Sequence, residues 1–173
     1  MKLRAFLSLL TIALLASPAG ARTWNVYEDG SGDAPTIQAG IDSAAAGDTV
    51  LVGPGRFEEN IDFMGKAIVV RGSGPAETVL DGGGREGPCV AFVMGEDRRS
   101  ILEGFQVTKG SGHLFGGNRF GGGIYVDSSE PTIRGNHIIQ NSALPDGDGG
   151  GVYCGSSGDS YSPLFELNLI EGN

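Results

Sequence analysis

Two aspartates in a glycine-rich stretch are the candidate metal ligands of this sequence. Asp146 and Asp148 flank a glycine in PDGDGGG, a composition typical of an exposed turn. Calcium prefers such carboxylate oxygens but takes about six to eight oxygen ligands, so two side chains do not make a site. We therefore consider two roles for this pair, ligands of a calcium ion or ordinary turn residues, and Asp127 would be a further ligand if the fold brought it near.

Two tyrosines occupy the same position of a repeated motif and are the candidate carbohydrate-binding residues. Tyr125 follows GGGI and Tyr153 follows GGGV. If Ile124 and Val152 point inward, both tyrosines point outward, since successive side chains of a strand alternate between faces. Two stacked rings could form a platform for a sugar. They could equally pack on each other, a contact that contributes about 0.5–1.5 kcal/mol.

Four further side chains could take part in proton transfer. His113 and His137 could each act as a general base, a role for which histidine is the usual side chain. Neither has a carboxylate at a fixed spacing in the sequence, so we expect both to be surface histidines. Lys109 and Arg134 could serve as a strongly basic group, although Arg134 is better explained by a charge column described below. The sequence does not identify catalytic residues, which remain unknown.

These candidates lie in a sequence repeat that predicts how they are positioned. The apolar tails at 102–110, 133–141 and 165–173 align with offsets of 31 and 32 residues. A fixed period of this size indicates stacked units, and alternating apolar and polar residues indicate short strands. Equivalent residues should then lie about 4.8 Å apart. The predicted inward columns are Val107, Ile138 and Ile170, and Leu102, Ile133 and Phe165.

Asparagine, glycine and charged residues recur at fixed places in the same repeat. We expect the Asn136–Asn168 column and the Gly110–Asn141–Asn173 column to lie at corners, because both residue types tolerate left-handed backbone and asparagine side chains can hydrogen-bond along a column. The aligned residues Glu103, Arg134 and Glu166 would place a cation between two anions on the outer face.

The segment before the repeats differs from them. PTIQAGIDSAAAG predicts a short helix with Thr36 or Asp33 as N-cap and Gly47 as the stop. A solenoid needs an atypical terminal unit to cover the open edge of its stack, and this helix is the natural cap. Short apolar segments that predict further strands follow it, at 49–52, 60–63, 67–70, 78–80 and 89–93. The predicted fold class is therefore all-β, a right-handed parallel β-helix with a short N-terminal capping helix.

The first 21 residues predict export. Lys2 and Arg4 precede a short apolar run, and Ala19 and Ala21 form a cleavage site typical of a signal peptide. The predicted domains are thus a signal peptide at 1–21 and a parallel β-helix domain at 22–173. We expect that domain to be truncated at its C-terminus, because the last residues coincide with the end of a repeat.

Charge and cysteine content limit the partners and the crosslinks. The net charge is −9, and removal of the two basic residues of the signal segment makes it −11. A nucleic-acid ligand is therefore not expected, because such binding needs a basic surface. The mature chain shows no second hydrophobic span. Cys89 and Cys154 should lie about two coils apart, so we expect no disulfide between them.

The quoted motifs resemble a known group of proteins. VYEDGSGDAPTIQAGIDSAAAGDTVLVGPGRFEENIDFMGKAIVVRGSGPAETVLDG (26–82) is similar to the opening of pectin methylesterases and of many bacterial β-helix proteins. From Leu102 onward, the GGGIY and PTI..N.I..N units resemble generic parallel β-helix repeats. Together these stretches resemble secreted right-handed parallel β-helix proteins of the pectin-lyase-like superfamily.

This resemblance implies a location and a ligand. It implies a secreted, cell-surface or periplasmic protein whose partner is an extracellular polysaccharide, often a polyuronate. The catalytic motifs of pectin methylesterases and polygalacturonases are missing between Gly82 and Asn173, and a fold does not by itself define a reaction. We expect a domain that recognises or acts on extracellular polysaccharide. The alternatives are a non-enzymatic surface solenoid, such as an adhesin or envelope component, and the N-terminal half of a polysaccharide lyase or pectinesterase.

Overall fold

The computed structural model describes residues 20–83, 85–156 and 161–173. The predicted signal peptide lies almost wholly outside these residues and stays a prediction. In the described part the elements in chain order are β1 (Thr23–Val26), α1 (Ile37–Ser43), β2 (Thr49–Val52), β3 (Gly55–Phe57), β4 (Ile61–Asp62), β5 (Val69–Arg71), β6 (Thr78–Asp81), β7 (Val90–Phe92), β8 (Ile101–Glu103), β9 (Gln106–Thr108), β10 (His113–Phe115), β11 (Asn118–Phe120), β12 (Ile124–Asp127), β13 (Thr132–Arg134), β14 (His137–Ile139), β15 (Val152–Gly155), β16 (Leu164–Glu166) and β17 (Leu169–Glu171).

The strands form three parallel sheets that run along a solenoid. Sheet A has the order β1-β2-β5-β8-β13-β16, sheet B the order β17-β14-β9-β6-β3, and sheet C the order β15-β12-β7-β4. Each full coil therefore contributes one strand to each sheet in turn. The predicted parallel β-helix architecture is confirmed.

The predicted inward columns are also confirmed. Val107 pairs with Ile138, which pairs with Ile170. Leu102, Ile133 and Phe165 stack in the same way in sheet A. Their side chains are fully buried up to the penultimate coil, whereas Phe165 and Ile170 in the last described coil are 37% and 49% exposed. Full burial of one such side chain stabilises the fold by about 1.5–3 kcal/mol, so these two columns are a principal source of stability.

The asparagine columns hold the corners by hydrogen bonding. Asn136 Oδ1 accepts the backbone N–H of Phe105 at 3.0 Å, and Asn168 Oδ1 accepts the backbone N–H of Asn136 at 3.0 Å. The left-handed backbone itself lies one residue earlier than we expected. It is found at Gly104, Gly135 and Leu167 before one column, and at Lys109, Gln140 and Gly172 before the other. The asparagine side chains stabilise the bend, because their amides form hydrogen bonds with the backbone polar groups that the bend leaves unpaired.

The predicted helix is present at the N-terminal end of the stack. Thr36 is the N-cap and accepts the backbone N–H of Ala39, whereas Asp33 accepts hydrogen bonds from Asn25 instead. The helix ends at Ser43, before the predicted stop. Its buried residues pack against β1, β2 and β4. Sheet A begins with β1, whereas sheets B and C begin one coil later, with β3 and β4. Helix α1 covers the end of the solenoid at the place where sheets B and C have no strand in the first coil.

A β-hairpin interrupts one coil. Strands β10 and β11 pair antiparallel between β9 and β12. Gly116 and Gly117 connect them with φ values of 60° and 91°, the left-handed geometry of a tight two-residue hairpin turn. The hairpin stands beside sheet C, and Phe120 at its end bridges to Asp148 of the next coil.

The outer charge column extends further than the three predicted residues. Arg71 lies next to Glu103, which lies next to Arg134. Both arginines form ion pairs with Glu103, so the anion lies between two cations. Glu166 is next in the column, as the register predicts.

Neither cysteine is in a disulfide. Cys89 is buried and Cys154 is exposed, and both are free thiols. The prediction of no bridge is confirmed. Burial raises the pKa of the Cys89 thiol to about 12, so this side chain remains a protonated core residue at physiological pH. In the described residues no helix is long and apolar enough to cross a membrane.

Candidate functional site

The outer face of sheet C brings both predicted tyrosines together. Strand register places Asp62, Ala91, Tyr125 and Tyr153 in one column across four neighbouring strands. Ile124 faces the core on the opposite side of the sheet. The alternation of the GGG[IV]Y motif therefore directs its aromatic residue outward on two successive coils, as predicted.

The two tyrosine rings form part of a stack. Their centroids are 5.6 Å apart with an angle of 7° between the planes. His113 of β10 stacks on Tyr125 at 4.7 Å, and Phe120 of β11 meets Tyr153 at 4.9 Å with an angle of 54°. Tyr125 is consequently only 8% exposed. The arrangement is ring-on-ring packing in which Tyr153, half-buried, presents more surface to a ligand than Tyr125 does.

A cleft opens between this stack and the hairpin. Its volume is about 510 Å³. The walls are mostly aromatic and the polar groups are few, a combination typical of small-molecule and sugar sites. The lining residues are His113, Phe115, Phe120, Tyr125, Asp127, Tyr153, Gly155 and Ser156.

Asp127 supplies the carboxylate of this cleft. It ends β12, two residues beyond Tyr125, and its Oδ1 accepts a hydrogen bond from Ser128 Oγ at 3.1 Å. Burial, and after it the charges of Asp127 and Tyr153, raises the pKa of Tyr125. The Tyr125 phenol therefore stays protonated at neutral pH and is available as a hydrogen-bond donor next to an acceptor carboxylate.

A second pocket continues along the same face. It lies over Ala91, has a volume of about 440 Å³, and shares His113 with the aromatic cleft. Asp62 lines it. Burial raises the pKa of Asp62, and the negative charges of Glu96 and Asp42 add to this effect against the hydrogen bond from the Met64 backbone. Together the two pockets form one groove across sheet C, which we call the sheet C groove.

Another groove lies at the corner between sheets A and B. It has a volume of about 430 Å³ and is lined by Arg71, Glu103 and Arg134, with glycines and Leu167 around them. Its arginines are already paired with Glu103, and about half of each arginine side chain is buried. Both guanidinium groups are thus engaged by one carboxylate, and none of the lining residues is aromatic, so this groove is a weaker candidate for a sugar than the aromatic cleft.

The predicted metal ligands lie elsewhere. Asp146 and Asp148 are exposed, and the backbone of Asp148 bonds to Arg119 and Gly121 at the base of the hairpin. Asp127 lines the aromatic cleft, to which neither Asp146 nor Asp148 contributes. In residues 20–83, 85–156 and 161–173 no group of three or more His, Cys, Asp or Glu side chains is arranged to hold a metal ion. The calcium site therefore stays a prediction.

His137 has a partner that the sequence did not reveal. Its Nε2 lies 3.1 Å from Glu171 Oε1 on the next coil. The pair lies on sheet B, away from the aromatic cleft, and forms an ordinary surface contact. His113 belongs to the cleft instead, where its ring packs on Tyr125.

Comparison with known proteins found no relative of this chain. No protein-family model, curated protein or solved structure matches this chain. The resemblance to the pectin-lyase-like superfamily therefore rests on the motifs quoted above, while the structure by itself establishes a parallel β-solenoid.

Two parts of the site were missed from the sequence. Phe120 was not among the sequence candidates, although HLF-GG-NRF carries the signature of a tight hairpin, with two glycines between short segments that contain apolar residues. Asp62 gave no signal, because its place in the sheet C groove depends on stacking against strands about 30 and 60 residues later in the chain.

Proposed function

We propose that this protein is an exported β-solenoid that binds extracellular polysaccharide in the sheet C groove. The observation that carries the proposal is the aromatic cleft, in which the half-buried Tyr153 ring and Phe120 lie beside the carboxylate of Asp127. Export rests on the signal segment at 1–21, and the ligand class rests on the cleft.

The chemistry of the cleft suits a sugar. A pyranose ring has apolar C–H faces and a rim of hydroxyl groups. Tyr153 and Phe120 offer apolar surface to the first, while Asp127 accepts hydrogen bonds from the second and the Tyr125 phenol can donate one. Aromatic side chains with few convergent polar groups are the usual composition of such sites.

The shape of the groove suits a polymer. It runs across the four strands of sheet C, a distance of roughly 14 Å at the spacing of parallel strands. Its two pockets meet at His113 and remain open to solvent along the solenoid. A chain of several sugar units can lie along such a surface, whereas a single monosaccharide would fill only one pocket.

Binding of the full-length exported protein to a panel of soluble polysaccharides tests this proposal, with released reducing ends measured in parallel to detect turnover. We expect Tyr153→Ala to lower affinity for the best ligand at least about tenfold, because the variant loses one stacked aromatic contact and the hydrogen bond of the phenol. Tyr27→Ala is the matched control, because Tyr27 is an exposed tyrosine near the other end of the solenoid. Failure of every glycan to bind would leave the non-enzymatic structural solenoid as the better explanation.

A further inference from the structure

We propose that the sheet C groove selects glycans that carry free amino groups over uncharged glycans and over polymers of uronic acids. This inference rests on the proposed function and adds the charge of the ligand to it. It departs from the polyuronate that the motif resemblance implies.

The polar side chains of the groove are biased toward negative charge. Asp62 and Glu86 line the pocket over Ala91, and Asp127 lines the aromatic cleft. Among the described residues, neither pocket is lined by a lysine or an arginine, and His113, which lines both, is the one side chain there that can become cationic. A uronate polymer would meet like charge at Asp62 in one pocket and at Asp127 in the other, and like charges placed together oppose binding.

Two of these carboxylates lack a cationic partner in the described part of the chain. Asp62 Oδ1 accepts only the backbone N–H of Met64 there, and Asp127 Oδ1 accepts the Ser128 hydroxyl. Carboxylates elsewhere on the solenoid are compensated more fully: Asp81 pairs with Arg56 and Lys109. The buried Glu96 accepts hydrogen bonds from the backbone N–H groups of Gly65 and Met94 and from the Ser129 hydroxyl. Asp62 and Asp127 each accept one hydrogen bond, so their remaining acceptor sites are open to a ligand of the groove.

The nearest arginine offsets the charge of Glu86 but pairs with neither Asp62 nor Asp127. Arg119 stands in the hairpin beside Glu86, and its guanidinium donates to the carbonyl oxygens of Ser111 and Gly112. It also contacts Glu86 at 3.5 Å. Its donors are therefore occupied by the hairpin backbone, and only 18% of its side chain is exposed.

The aromatic rings favour the same kind of ligand. The face of a tyrosine or phenylalanine ring attracts an ammonium group through the ring quadrupole, and a bordering carboxylate attracts it through its charge. Tyr153 and Phe120 meet at an angle of 54° next to Asp127, which gives a corner with two rings and one anion. An amino sugar brings an ammonium group and an apolar ring face into that corner at once.

The experiment compares four probes on the full-length protein, in low-salt buffer near neutral pH, where a share of the sugar amines is protonated. The probes are glucosamine oligomers, N-acetylglucosamine oligomers of the same length, oligogalacturonate and oligolysine. We expect glucosamine oligomers to bind at least about tenfold more tightly than the acetylated oligomers, and the difference to shrink as salt screens the charges.

Substitutions in the groove then locate the effect. Asp127→Asn and Asp62→Asn preserve side-chain shape, and both should reduce the preference for the amino sugar without abolishing binding of the acetylated oligomer. Glu77→Gln is the control, because Glu77 is an exposed carboxylate in the turn between β5 and β6. Circular dichroism confirms that each variant is folded.

The outcomes separate this inference from the proposed function. Equal or tighter binding of the acetylated oligomers or of oligogalacturonate overturns the charge selection but leaves glycan binding intact. Oligolysine binding as tightly as the amino sugar overturns it in favour of a basic peptide ligand. An unchanged preference in both aspartate variants also overturns it. No binding of any glycan removes the proposed function itself.

Discussion

Asn141 Oδ1 accepts the backbone N–H of Gly110 at 2.9 Å, across the boundary between two coils. The Asn141 Nδ2 donates to the carbonyl oxygen of Val107 at 3.0 Å, and the Asn141 backbone N–H donates to Asn173 Oδ1 at 3.0 Å. The side chain is 3% exposed. One amide therefore joins three successive coils at a corner where water cannot replace it.

Asn141→Ala should destabilise the fold by about 2–4 kcal/mol, because it leaves the buried Gly110 N–H unpaired and removes the side-chain hydrogen bond to the Val107 carbonyl oxygen. Urea denaturation followed by circular dichroism measures the change. The control is Asn118→Ala in the exposed hairpin, which should stay within about 0.5 kcal/mol. Equal small effects in both variants would show that the asparagine column does not hold the corner.

Gly122→Ala should be among the most disruptive substitutions in the chain. A Cβ at this position would lie 2.3 Å from the carbonyl oxygen of Gly150 and 2.4 Å from that of Ser142, both backbone atoms that cannot rotate away. We expect a loss of about 3 kcal/mol or more in the same denaturation assay. Gly117→Asn is the matched control, since its left-handed φ of 91° suits asparagine and a Cβ there meets no atom within 4 Å.

Glu103→Gln should reduce stability at neutral pH and flatten its dependence on acid. Burial alone would raise the pKa of Glu103, but hydrogen bonds from Arg134 and Arg71 outweigh it and lower the pKa below the ordinary 4.5. A lowered pKa contributes stability that is present above the unfolded value and is lost as pH falls through the folded value. We expect the variant to lose about 1 kcal/mol at pH 7 and little at about pH 3.

Denaturation midpoints at a series of pH values measure this effect. Glu77→Gln, an exposed carboxylate between β5 and β6, is the control and should track the unmodified chain. An acid transition of Glu103→Gln identical to that of the unmodified chain would mean that the arginine pair does not stabilise the charged form.

Asp62→Asn should instead raise stability at neutral pH. Burial, with the charges of Glu96 and Asp42, raises the pKa of Asp62 above 3.8. A raised carboxyl pKa means that stability falls as pH rises through the interval between the unfolded and the folded values. Asparagine removes this loss and keeps an oxygen for the Met64 N–H, so we expect a gain of less than about 1 kcal/mol in thermal denaturation at pH 7.

The same substitution is expected to weaken binding of amino sugars, so stability and binding should change in opposite directions. Such a trade-off is typical of residues retained for function rather than for folding. The exposed Glu58 provides the control, and Glu58→Gln should alter neither property. A destabilised Asp62→Asn variant would show that the carboxylate has a structural role.

The fold could be predicted well from the sequence because each coil of the solenoid repeats the same pattern of buried, exposed and corner residues. Once the tails at 102–110, 133–141 and 165–173 are aligned, the register of sheets A and B follows, including the contact between Val107 and Ile138. The helix could also be predicted, since its N-cap Thr36 and the spacing of its buried isoleucines are visible within the helix segment itself. Each of these features depends on neighbours one period away or less.

The site was less predictable because it depends on departures from the repeat. The hairpin between β9 and β12 is an insertion found in one coil, and it supplies His113 and Phe120 to the cleft. The left-handed positions also varied in residue type, with Lys109, Gln140 and Gly172 at one corner. Glycine and asparagine alone therefore do not mark the bends.

A crystal structure of the full-length protein with a bound glucosamine oligosaccharide tests the central claim most directly. We predict sugar density in the cleft between the hairpin and sheet C, with a ring against Tyr153 and an amino or hydroxyl group within hydrogen-bond distance of Asp127. Density in the groove of Arg71 and Arg134 instead, with the aromatic cleft empty, would contradict the account.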